Sequence, residues 1–111
     1  MIVNTSSTFT VLKDQKDGIE DFAGYLTRCI PTNFQDQNLI LDLLSYTHLT
    51  IEQLLLFIDI SNNHRISKHS FVVVNSALDP DIIPDEIMVV PTLLEAQDVI
   101  EMEEIERDLG F

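Results

Sequence analysis

Residues 8–13, TFTVLK, alternate polar and apolar side chains of β-favouring types, which predicts a strand with Phe9 and Val11 on one face. A helix should follow. Asp17 with Glu20 three residues on is a helix-start signal, and Ile19, Phe22, Ala23 and Leu26 fall on one stripe at helical spacing. The stripe ends near Cys29 and Ile30. Pro31 then disfavours helix at the residue before it, so residues 31–38, PTNFQDQN, are expected to form a loop.

Residues 39–44, LILDLL, are almost continuously apolar, the pattern of a strand covered on both faces as in parallel sheets. Thr50 precedes a second helix, expected from Ile51 to His64, with Gln53 placed to complete a cap and Ile51, Leu54, Leu55 and Ile58 on one stripe. His64 and Arg65 would close that helix as cations at its negative end. Residues 70–75, SFVVVN, and 87–90, IMVV, are two further strands by their β-branched content. The last helix starts at Thr92, again with an acid, Glu95, at the reciprocal capping position, and Gly110 marks its end. Ala96, Val99, Ile100, Met102 and Ile105 are expected to be its core-facing side.

Strand and helix therefore alternate as βαβαβ, then βα. That is the order of a small α/β layer protein, with a four-stranded, mainly parallel sheet and about three helices packed on it. A length of 111 residues fits one domain spanning 1–111, with 1–7 disordered and 101–111 an acidic helix end.

Composition narrows the function classes. Nineteen acidic and six basic residues give a formal charge of −13, which opposes binding to nucleic-acid phosphates or anionic lipid. No apolar run reaches the length of a membrane span, and MIVNTSSTFT has neither the basic start nor the apolar core of a signal peptide, so the expected location is the cytoplasm. The single cysteine, Cys29, is expected to be a half-buried, unreactive thiol.

Catalytic groupings are hard to find. His48, His64 and His69 lack the four-residue spacing of a helical zinc pair, so no metal or other cofactor is expected. Asp79, Asp81, Asp85 and Glu86 are interrupted by Pro80 and Pro84 and lack the glycine of a calcium loop; they read as a solvated turn. There is neither a glycine-rich phosphate loop nor a nucleophile elbow. From Asp79 onward there are eleven acidic residues and one base, Arg107, which reads as a solvated face or as a docking surface for a basic partner.

The order of these motifs resembles the STAS domain, the fold of bacterial anti-sigma factor antagonists. NLILDLLSYTHLTIEQLLLFI is similar to that family's strand leading into a helix, HRISKHSFVVVN to its helix end and next strand, and IMVVPTLLEAQDVI to its final strand and helix. The resemblance implies a non-enzymatic, regulatory protein–protein interaction module that binds a protein partner through the start of the second helix. Thr50, Glu52 and Gln53 would be its exposed contacts. The family's Asp-Ser pair, whose Ser is phosphorylated, is here Thr50 and Ile51, and Glu52 and Gln53 replace the glycine that commonly follows. Thr50 remains as a displaced phosphosite, where phosphate would add roughly −2 charge at a helix start. The family's usual first strand is expected to be short or absent in MIVNTSS. The tail EMEEIERDLGF also resembles short acidic STAS-like proteins of Bacteroidetes, some linked with genes for ribonuclease Z, so an accessory partner of an RNA-processing enzyme is the alternative function.

Assembly is the remaining question. The strand face expected to bear Thr8, Thr10 and Asp42 is more polar than its opposite, and three helices would leave part of the sheet open, so a homodimer or a protein partner is expected to cover it.

Overall fold

The computed structural model describes residues 1–14 and 18–110. The helix-start signal at Asp17 lies outside the described residues. The chain forms β1 (Ile2–Thr5), β2 (Thr10–Lys13), α1 (Ile19–Asn33), β3 (Leu39–Asp42), α2 (Ile51–Leu55), α3 (Ile58–Ile66), β4 (Phe71–Val74), a 3-10 turn at Pro80–Ile82, β5 (Met88–Val90) and α4 (Leu93–Asp108). One sheet holds all five strands in sequence order. β1 pairs antiparallel with β2, and every later pairing is parallel.

A fifth strand joins the four expected, because MIVNTSS supplies the short version of the first strand, four residues long. Ile2 pairs with Lys13 and Thr5 with Thr10, and the Ser6 N–H donates to the Phe9 carbonyl (2.8 Å) to close a hairpin. All four β1 residues are exposed, so the strand has no apolar alternation to announce it.

A sheet that grows in one direction by crossovers of one hand keeps its connecting helices on one face. Leu12, Leu39, Leu41, Phe71 and Val73 form that face and pack with Leu26 and Ile30 of α1, with Leu54 of α2, and with Phe57 and Ile60 around the start of α3. The alternate residues Ile40, Val72 and Val74 point the other way and meet Ala96 and Ile100 of α4. β3 and β4 are thus buried on both faces, as their unbroken apolar runs imply. The same register corrects the expected polar face. Thr10 pairs with Leu39 on the α1 side, whereas Asp42 pairs with Lys13 on the α4 side, so Thr10 and Asp42 lie on opposite faces.

Two helix boundaries also differ from expectation. α1 runs through Pro31 to Asn33, because a proline so near the end removes only a late hydrogen bond, and the Thr32 hydroxyl donates to the Cys29 carbonyl (3.2 Å) there. The single helix expected from Ile51 to His64 is instead two. α2 closes at Leu55, where Leu56 N–H and Phe57 N–H both make tight bonds three residues back (3.2 and 3.0 Å), and α3 resumes at Ile58. That turn lets Leu54 and Phe57, three residues apart, both reach full burial.

Candidate functional site

Thr50 adopts an extended backbone (φ −95°, ψ 162°) just before α2. Its hydroxyl accepts the Gln53 N–H (3.2 Å), and the Gln53 side-chain carbonyl accepts the Thr50 N–H (3.0 Å). Two amides that the helix leaves unpaired are thereby satisfied reciprocally. Thr50 and Glu52 are exposed and Gln53 is partly so, which puts the three expected contact residues together on one helix start. α2 has only five residues.

The break after α2 has a consequence at the surface. With Leu54 and Phe57 turned inward, Leu55 and Leu56 remain outside, 45% and 42% exposed. Leu56 forms one lip of a cleft of about 310 Å³ between α1 and α3, with Leu26, Ile30 and Ile60 along its apolar side and Asp59 and Asn63 on its rim. The stripe expected to include Leu55 leaves it exposed; a sequence pattern of unbroken helix could not show the turn that puts Leu55 and Leu56 outside.

His64 lines the same cleft but is buried, and its Nε2–H donates to the Gln37 backbone carbonyl (2.6 Å). Burial strips water from the ring and holds its pKa below the ordinary value; that carbonyl opposes the shift, and the charges of His69 and Arg65 add to it. His64 and Arg65 thus stand in the last turn of α3 as expected, but the buried His64 ring serves there as a structural donor whose charged form burial disfavours. Its ring lies 5.9 Å from that of His69, while His48 sits exposed in the loop beyond β3, at the opposite end of the strands. The Cys29 thiol is buried, 7% exposed, and burial pushes its pKa up, so it is a poor nucleophile.

Beyond the carboxyl ends of the strands, Asn75 joins the loops. Its amide donates to the Leu43 and Tyr46 carbonyls (2.8 and 3.0 Å) and its carbonyl accepts the Ala77 N–H (2.9 Å). The Tyr46 hydroxyl donates to Asp14 (2.5 Å). The Asp79 carboxylate accepts the Asp81 N–H (2.9 Å) and starts the exposed 3-10 turn.

The opposite end of the strands holds a polar clamp that the residue pattern alone did not identify. Asn38 donates to the Thr8 carbonyl (2.9 Å) and to Glu104 Oε1 (2.6 Å), and accepts the Ser70 N–H (2.8 Å). Arg107 donates to Ser70 Oγ (3.1 Å) and Glu104 (2.8 Å); Ser70 Oγ donates to Glu103 (2.5 Å), which Arg65 also meets at 3.3 Å. Hydrogen bonds from Asn38 and then Arg107 hold the Glu104 carboxyl below the usual carboxylate range. The one available signal was Arg107 itself, the sole base among eleven acids.

This clamp overturns the expected orientation of α4. Ala96 and Ile100 are buried as expected, but Met102 and Ile105 are 63% and 58% exposed, and Glu103, Glu104 and Arg107 turn inward instead. Among the described residues, no helix is long and apolar enough to cross a membrane. Comparison with protein-family models and with curated protein sequences finds no match to this chain.

Proposed function

We propose that this chain is a non-enzymatic, STAS-like protein–protein interaction module with a regulatory role, and that it engages a protein partner through α2 and the adjoining cleft. The observation that carries the reading is the pair Leu55 and Leu56, left exposed at the α2–α3 turn beside an apolar cleft and next to the exposed Thr50 and Glu52. Exposed apolar groups that adjoin a cleft with a polar rim have the composition of a protein-docking patch.

The order of strands and helices, with the α2 start directly after the β3 loop, supports the family likeness. What supports binding over catalysis is the work the reactive-type side chains already do. The Thr50 hydroxyl caps α2, the His64 ring holds a backbone carbonyl, and the Cys29 thiol is buried in the core. In the phosphoswitch position of the family the chain has Ile51, so control would come through Thr50 or through occupancy of the patch itself.

The test is affinity capture from the native cell with the unaltered chain and with Leu55→Asp/Leu56→Asp and Glu52→Arg variants, each checked for an unchanged melting temperature. A specific partner captured by the unaltered chain and lost from the variants is the expected result. A partner set identical across all three chains would remove this surface from the function.

A further inference from the structure

Helix α4 is amphipathic in two directions. At 100° per residue, Ala96, Ile100, Glu103 and Arg107 share the inner side, while Leu94, Met102, Ile105 and Leu109 fall within about 80° of one another on the outer side. Those four are 67%, 63%, 58% and 66% exposed. Met102, Ile105 and Leu109 follow the three-then-four spacing of a coiled-coil seam, a–d–a, with Asp98 at the d position before them. In that register the e and g positions flanking Met102, Ile105 and Leu109 are Glu101, Glu106 and Asp108, all acidic and all exposed, with the partly buried Val99 at the e position before them.

The charges decide what kind of helix this seam accepts. Flanking e and g residues choose the partner of a helix pair, because they sit opposite one another across the seam. Two copies of α4 would set carboxylates against carboxylates on chains of formal charge −13, which opposes self-pairing. The one base after Asp79, Arg107, is turned inward to Ser70 and Glu104 and neutralises nothing on the outer side. Glu106 and Asp108 also stand in the last turn of α4, at its negative end, where an anion is disfavoured and a cation favoured.

We propose that the outer face of α4 is a second docking surface, whose occupant is an amphipathic helix of a partner protein with apolar a and d residues and Lys or Arg at e and g. This surface lies on the opposite face of the sheet from α2 and stands independently of the function proposed above. Its inward clamp to Asn38, Ser70 and Arg65 holds α4 in place, so the seam is presented on a fixed helix of 16 residues, about 24 Å long.

The experiment uses the full chain and three labelled 21-residue helical peptides: Leu at a and d with Lys at e and g, the same with Glu at e and g, and Ser at a and d with Lys at e and g. Fluorescence anisotropy gives affinity, and the Met102 methyl resonance reads the site on the unaltered chain. The expected result is at least tenfold tighter binding of the Leu/Lys peptide than of either control. The Met102 methyl should shift on its addition, Met102→Glu/Ile105→Glu should weaken it at least tenfold at unchanged melting temperature, and Leu56→Asp should have no effect. Equal binding of the Ser/Lys peptide would reduce the effect to diffuse charge, and an unmoved Met102 methyl would place the peptide elsewhere. Sedimentation showing a dimer that Ile105→Glu dissolves would assign the seam to a second copy. Any of these three overturns the proposal.

Discussion

The Asn38 amide at the start of β3 donates to Glu104 Oε1 in α4 across 2.6 Å, joining residues 66 positions apart in the chain. The same buried side chain pairs the Thr8 carbonyl and the Ser70 N–H, so it ties together the amino-terminal ends of three neighbouring strands and the helix above them.

Replacing Asn38 by Ala should therefore cost about 2 kcal/mol, since the buried Ser70 N–H loses its acceptor while the part-buried Thr8 carbonyl and Glu104 lose their donor. Chemical denaturation would measure the loss. Hydrogen exchange should localise its first effect to the carboxyl half of α4, and protection there equal to that of the unaltered chain would refute the role given to this clamp.

Acid should destabilise the protein in two separate ranges. His64 is held below its ordinary pKa of about 6.5, so as pH falls through that value the unfolded chain takes up a proton that the folded chain refuses, and stability declines until the folded ring titrates. Glu104, held below the ordinary 4.5, contributes stability that is present above that value and is lost as pH falls through its lower folded pKa. His64→Gln should flatten the decline that begins as pH falls through about 6.5 and leave the Glu104 decline in place. Melting temperatures of both chains across pH 3–8 would show whether it does.

Ser61 is fully buried in α3, and its hydroxyl has no hydrogen-bond partner among the described residues. Removing an unsatisfied hydroxyl relieves its desolvation cost while Ala improves helix propensity, so Ser61→Ala should stabilise the fold by about 1 kcal/mol. A lower denaturation midpoint for the variant would mean that the hydroxyl has a partner after all.

Thr50→Ala removes one half of the reciprocal cap and should cost about 1 kcal/mol, whereas Thr50→Ser should cost much less, because only the hydroxyl is needed. Equal losses for the two substitutions would assign the stability to the Thr methyl group and not to the cap.

What the sequence carried without help were the features set by neighbours a few residues apart. The caps at Thr50 and Thr92, the doubly buried strands around Ile40 and Val72, and the α/β alternation are all local in that sense. β1 was not legible, because it forms only by pairing with Thr10–Lys13 and exposes all four of its side chains. The turn between α2 and α3 was hidden for a related reason. Leu54, Leu55, Leu56 and Phe57 are equally apolar, and only the packing of Leu54 and Phe57 into the core determines which of them stay outside.

Helix α4 marks the boundary between the two kinds of information. Its length and start follow from Thr92, Glu95 and the residues after them, but apolar side chains occur on both sides of it, so periodicity does not select the buried side. That choice belongs to Asn38, Ser70 and Arg65, which lie far away in the chain and offer partners to Glu103, Glu104 and Arg107. Partly exposed charges settle where complementary groups already wait, and the position of those groups exists only once the sheet has formed.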